Sequence, residues 1–241
     1  MALYGLIGYP LTHSFSPAYF NNKFEKQGID ATYRAFPLAH INDLPALIEQ
    51  HPDLEGINVT IPYKELVIPY LDAIDPAAKT IEAVNCIHIK DGVRTGYNTD
   101  YKGFLDSLKP LLKHQHTHAL ILGSGGASKA VQYALQQLGI MYKLVSRSGE
   151  NDYTYLQLTD EIVDSHKLII NTTPLGMYPN TDACPLLPYN AIGYQHLLYD
   201  LVYNPTETKF LMMGKKQRAA IKNGYEMLTL QAEASWNIWN S

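Results

Sequence analysis

The sequence predicts an α/β protein of two lobes, each a sheet covered by helices, and three observations lead there. Strand-like and helix-like pieces alternate over the first hundred residues at the spacing of βαβ units. A second alternating series begins at His118, and its first strand runs directly into a glycine-rich turn. The length of 241 residues, with 46% apolar and 17% charged side chains, suits one large domain or two modest ones with real cores.

In the first lobe Leu3–Gly8 reads as a strand. Ser16 and Pro17 have the residue types of an N-cap and first helical position, and Phe20 and Phe24 lie four apart before Gly28 stops the helix. Ala31–Phe36 is a second strand, Ile41–Gln50 a second helix, and Gly56–Ile61 a third strand ended by Pro62. Tyr63–Leu71 is expected to be helical in spite of Pro69. Ala83–Lys90 and Val93–Gly96 flank Asp91-Gly92, the strongest short-range hairpin signal. Asn98-Thr99-Asp100 opens a helical run, Tyr101–Leu112, and the polar Lys113–Thr117 joins the lobes.

The second lobe reads as a strand at His118–Leu122, a helix over Ser128–Leu138 and a strand at Tyr142–Ser146. Strands at Lys167–Asn171 and His196–Val202 follow, then a helix near Thr206–Gln217. Residues 148 to 166, 19 in number, are too few for the helix, strand and helix of a complete Rossmann half, so Asp152–Leu158 should be one short strand or helix, not both. Met227–Trp239 is a terminal helix with Leu230, Ala234 and Ile238 on its packed face and Trp236 and Trp239 in the core. The expected architecture is a mostly parallel α/β substrate domain over 1–101, completed by 225–241, and a shortened Rossmann-type dinucleotide domain over 102–224. The site would lie in the cleft they share.

Composition excludes several functions. A net charge of −4 with dispersed basic residues gives no field to hold a nucleic acid. The first lysine is Lys23, and Gly5, Gly8 and Pro10 interrupt the N-terminal apolar stretch, so no signal peptide is expected. No window approaches the ~18 apolar residues of a membrane span. Cys86 and Cys184 form neither a disulfide framework nor a zinc motif, which fits a reducing cytoplasm. His114, His116 and His118 alternate but lack an adjacent cysteine or acid, and no metal is expected. Monomer and homodimer both remain open.

The turn Gly123-Ser124-Gly125-Gly126-Ala127-Ser128 leaves a strand and opens a helix, the context that seats a pyrophosphate on unsatisfied helix N–H groups. At the end of the next strand stands Ser146-Arg147-Ser148, with no acid to bond a ribose 2′-hydroxyl. Arg147 can instead pair a 2′-phosphate, a charge-assisted hydrogen bond of roughly 1.5–3 kcal/mol, which points to NADP. Glu150 and Asp152 follow closely and count against it.

On the substrate side, Asn58 and Thr60 share one face of an otherwise apolar strand, near the carboxyl end where open α/β sheets bind ligands. Lys64 follows the break at Pro62 and is a candidate proton donor and acceptor. Asp100 precedes a helix and reads either as its cap or as a partner in that chemistry.

Seven motifs in order then resemble the shikimate dehydrogenase family: Ser14-Phe-Ser16-Pro, Asn58-Val-Thr60-Ile-Pro-Tyr-Lys64, Val84-Asn85, Gly96-Tyr-Asn-Thr-Asp100, the Gly123 turn, Asn171-Thr-Thr-Pro-Leu-Gly-Met177, and Asn223-Gly-Tyr-Glu-Met-Leu with Gln231. The resemblance spans nearly the whole chain. It implies reversible reduction of 3-dehydroshikimate by NADPH, a step toward aromatic amino acids. It further implies that Ser14 and Ser16 hold the substrate carboxylate, that Asn58, Thr60, Asn85 and Gln231 meet its hydroxyls, and that Lys64 and Asp100 act at the reacting centre. Thr172, Met177, Tyr203 and Gly224 match positions around the nicotinamide and the substrate beside it. Two rivals remain: a relative acting on quinate as well as shikimate, with relaxed or NAD coenzyme use, and a non-catalytic dinucleotide or shikimate sensor, against which the presence of both Lys64 and Asp100 speaks.

Overall fold

The structure, a computed structural model, describes residues 1–11 and 14–241. The chain divides into two compact units, Met1–Thr99 with Ala232–Ser241, and Asp100–Gln231.

The first unit begins with β1 (Ala2–Gly8), α1 (Phe15–Gln27), β2 (Ala31–Pro37), α2 (Leu44–Gln50) and β3 (Leu54–Val59). It continues through β4 (Ala73–Ile74), α3 (Pro76–Ile81), β5 (Cys86–Lys90) and β6 (Val93–Tyr97). The sheet order is β2-β1-β3-β5-β6-β4. β1 pairs in parallel with β2 and β3, and β4 with β6, whereas β3–β5 and β5–β6 are antiparallel, so the sheet is mixed. The antiparallel hairpin turns on Asp91 (φ 52°) and Gly92 (φ 77°), the two positive angles that a type I′ turn requires.

Two expectations for this unit are corrected. Tyr63–Leu71 is a run of turns ending in a 3₁₀ turn at Ile68–Tyr70. Pro69 has no N–H to give the Glu65 carbonyl, so the α-helical ladder cannot pass it. The N-cap position of α1 is Ser14, in extended conformation and without a side-chain capping bond, and Ser16 sits inside the first turn. Proline tolerates the first turn beyond its opening position, so Pro17 did not mark the start.

The second unit comprises α4 (Asp100–Leu108), β7 (His118–Leu122), α5 (Gly126–Gln137), β8 (Met141–Ser146), β9 (Tyr153–Thr154) and α6 (Asp160–Ser165). After these come β10 (Leu168–Asn171), β11 (Leu197–Asp200), α7 (Lys209–Lys216) and β12 (Ala220–Lys222). The sheet order, β12-β11-β10-β7-β8-β9, is parallel throughout and is that of a doubly wound dinucleotide fold. β7, β10 and β11 are apolar on both faces, as central parallel strands covered by helices must be. Between β8 and α6 the chain makes both a two-residue strand and a 3₁₀ turn at Tyr155–Gln157, where one element was expected. Thr154 and Gln157 form a capping box that starts the turn at once, which is how both fit.

The last helix, α8 (Tyr225–Trp239), is shared between the units at the Gln231–Ala232 boundary. Its buried stripe is Met227, Gln231, Ala232, Ser235 and Trp239, not Leu230, Ala234 and Ile238, which are only partly covered. Two of the inward positions are polar, and an apolar pattern could not show them. Among the described residues no helix is long and apolar enough to cross a membrane.

Candidate active site

In the first unit the strand order reverses between β1 and β3, and at that point Gly8 lies against Thr60: a Cβ on Gly8 would stand 2.5 Å from Thr60 Cγ2. Strand-order reversals are where open α/β sheets take ligands. Two of the expected residues, Asn58 and Asn85, belong to a buried polar cluster. Asn58, 4% exposed, accepts a hydrogen bond from Tyr33 Oη (2.8 Å) and donates to Ser235 Oγ (2.9 Å) and the Asn85 carbonyl (3.2 Å). Asn85 Nδ2 donates to Thr99 Oγ1 at 3.0 Å, the Thr99 N–H donates to Asn85 Oδ1, and Thr99 Oγ1 lies 3.1 Å from Ser235 Oγ. Burial pushes the Tyr33 phenol well above its ordinary value, with the Ser16 hydroxyl working against it. Ser16 is buried, while Ser14 and Thr60 are half-buried. β3 is buried continuously from Gly56 to Val59, so Asn58 is a polar residue in an interior strand rather than the wet face of an exposed one.

Lys64 follows β3 in the turn, half-buried, and its carbonyl accepts from Val84 N–H at 2.7 Å, which ties the turn to the segment entering β5. Asp100 is the first residue of α4 and is buried, at the start of the second unit.

In the second unit the strand order reverses between β7 and β10. Gly123 follows β7 with φ +112°, and a Cβ there would meet Thr172 Oγ1 at 2.7 Å. The Thr172 hydroxyl bonds the Leu122 carbonyl (2.8 Å), so it props the turn from the neighbouring strand. Gly125 is the N-cap of α5, and a Cβ on it would meet nothing within 4 Å. The first N–H groups of α5, at Gly126 and Ala127, have no intrahelical carbonyl, and the first turn carries no acid. Open space, N–H donors and the positive end of the helix suit a pyrophosphate. Ser124 is exposed on this turn.

At the end of β8, Ser146 is buried with its hydroxyl bonded to the Ser148 carbonyl (2.6 Å) and to Asn151 Nδ2 (2.8 Å). Ser146 therefore shapes the loop that presents Arg147 and Ser148, both exposed. Asp152 faces back onto β8, taking Lys143 Nζ and Leu144 N–H at 2.8 Å each. Partial burial would raise its carboxyl, but these donors hold it below the ordinary value. One of the two acids that count against a 2′-phosphate is thereby paired.

Two loops at the same edge of this sheet are joined by a pairing that the sequence did not show. Asn171 and Asp200 are register partners at the ends of β10 and β11, with Asn171 Nδ2 donating to Asp200 Oδ1 at 3.0 Å. Val202 N–H (3.0 Å) and Thr208 Oγ1 (2.5 Å) also donate to the Asp200 carboxylate, and Thr173 N–H and Oγ1 donate to Asn171 Oδ1. Met177, 46% exposed, and Tyr203, half-buried, ride on these loops, and burial raises the Tyr203 phenol. Gly224 is buried, its N–H bonded to the Val202 carbonyl at 3.2 Å. Gln231 Nε2 donates to the Leu228 carbonyl within α8. In the sequence Asn171 showed as the first residue of a family motif, whereas Asp200 showed only as a polar residue closing an apolar strand.

Comparison with known proteins follows the same outline. Residues 6–87 match the model of the shikimate dehydrogenase substrate binding domain. A protein of Clostridium beijerinckii called shikimate dehydrogenase (NADP(+)) is 41% identical over 99% of this chain and 92% of its own length. One of the same name from Methanosphaera stadtmanae is 37% identical over 98% and 90%. The crystal structure of the Thermus thermophilus shikimate 5-dehydrogenase in complex with NADP(H) and shikimate superposes with a TM-score of 0.88 at 30% identity, covering 99% of this chain and 93% of that one. Likeness of this extent, covering nearly the whole chain and so both units, places the chain in the shikimate dehydrogenase family.

Proposed function

We propose that this protein catalyses the reversible, NADP-dependent reduction of 3-dehydroshikimate to shikimate, the first unit binding the substrate and the second the coenzyme. The observation that carries the reading is the Gly123 turn: it stands at the strand-order reversal, its helix end is free of acids, and space is open at Gly125. Relatives 37–41% identical over nearly the whole chain bear the name of this activity.

Gly125, Gly126 and Ala127 hold the pyrophosphate by backbone N–H groups, and Arg147 with Ser148 meets the 2′-phosphate. When bound, the nicotinamide supplies the hydride. Ser14 and Ser16 hold the substrate carboxylate, and Asn58, Thr60, Asn85 and Gln231 hold its hydroxyls. Lys64 in its ammonium form gives a proton to the oxygen that becomes the new hydroxyl, and as the amine it takes that proton in the reverse direction. Asp100 orients the ammonium and stabilises its charge.

The test is the absorbance of reduced nicotinamide in a mixture of protein, shikimate and NADP⁺. Wild type should turn over. Lys64→Ala should lower kcat by about 10²–10⁴ while shikimate binding stays within about tenfold. Absence of turnover by wild type with shikimate and either coenzyme overturns the reading.

A further inference from the structure

The hydrogen bonds around Asn58 settle which end of its amide is available to a ligand. The Asn85 carbonyl only accepts, so the atom of Asn58 facing it at 3.2 Å is the amide nitrogen. The other N–H of that nitrogen is directed to Ser235 Oγ at 2.9 Å. Tyr33 Oη then faces the amide oxygen and donates its hydrogen at 2.8 Å. An amide offers two donors and two lone pairs, and three of these four are committed inside the first unit, leaving one lone pair on Oδ1. Tyr33 is 2% exposed and Ser235 0%, so water does not compete for these bonds.

We propose that Ser235 and Tyr33 are positioning residues that lock Asn58 as an acceptor, so that this position admits a substrate hydroxyl and rejects a group that can only accept. The inference rests on the reading above, in which Asn58 meets the substrate. Turning the amide over would set its oxygen against the Asn85 carbonyl and leave Tyr33 without an acceptor, which costs more than a single lost hydrogen bond. Ser235 reaches this cluster from α8 and Tyr33 from β2, so substrate polarity is set by two elements that need not touch substrate themselves.

The experiment measures inhibition constants of three shikimate analogues, each with one ring hydroxyl replaced by fluorine, which accepts weakly and cannot donate. Wild type, Ser235→Ala, Tyr33→Phe and the double variant are compared, each first checked for folding by circular dichroism and for shikimate binding. Wild type should reject one of the three analogues by at least about tenfold relative to shikimate. That ratio should fall at least about threefold in Ser235→Ala and further in the double variant, as the amide gains freedom to present an N–H. Unchanged rejection in variants that still bind shikimate overturns the proposal, as does a wild type indifferent to all three analogues. Where the double variant does not fold, Ser235→Ala decides. A wild type that fails to bind shikimate itself would instead sink the functional reading.

Discussion

Asp200→Asn removes a carboxylate that the second unit buries completely. Burial pushes the Asp200 carboxyl up to about 6 from 3.8, against the opposing pull of Thr208, the Val202 N–H and Asn171. A midpoint moved that far corresponds to about 3 kcal/mol between the two protonation states. The sign follows from proton counts: between pH 3.8 and about 6 the native state keeps a proton that the unfolded chain has lost, so stability falls as pH rises through this window. Below it the contribution is complete, and above it the ionised carboxylate is held at a cost. Asparagine does not titrate, so wild-type stability minus that of Asp200→Asn should decline by about 2 kcal/mol from pH 4 to pH 7, most of the full effect. Native-state hydrogen exchange at the amides of β10 and β11 reads this unit alone. A difference that stays flat across the window would mean that three donors fully offset burial, and the reasoning would fail.

Three further outcomes are expected. Arg147→Ala should raise the KM for NADP⁺ about tenfold to a hundredfold and leave that for NAD⁺ nearly unchanged, the loss of one charge-assisted bond to a 2′-phosphate; equal effects on both coenzymes would remove Arg147 from that role. Gly56→Ala places a Cβ 2.4 Å from Trp239 Nε1 and so displaces the indole from its 2.9 Å bond to the Ile87 carbonyl and its stacking on Tyr4. Urea unfolding followed by tryptophan fluorescence should show a loss of about 2–4 kcal/mol, and an unmoved midpoint would refute it. Finally, His116 and His196 each accept a backbone N–H on Nδ1, from Lys113 and Gly193 at 3.0 Å, and donate from Nε2 to carbonyls of Gln195 and Val163. Burial holds both, with His166, below 6.5. Their contribution is complete above pH 6.5 and is lost as pH falls below it, opposite in sign to Asp200. In the Asp200→Asn background, stability should therefore drop on acidification from pH 6.5, and the drop should shrink in His116→Gln/His196→Gln.

What was legible in the sequence was local. The Gly123 turn declares itself because its angle, its close approach and the helix it opens are set by consecutive residues, and Asp91-Gly92 announces its hairpin for the same reason. Tyr63–Leu71 misled because its residues favour a helix while the missing donor at Pro69 forbids one. α8 misled differently, since Gln231 and Ser235 face inward and only their partners make that tolerable.

The sequence by itself determined the α/β class, the family and the glycine-rich turn between β7 and α5. Only the tertiary structure decided that Ser146 braces its loop, that Asp152 is turned back to Lys143, and that Tyr33 and Ser235 set the face of Asn58. The reason is one of range. Backbone angles and periodicity depend on neighbours a few residues away, whereas the orientation of a buried amide or carboxylate depends on donors and acceptors brought from far along the chain, 177 residues in the case of Ser235 and Asn58.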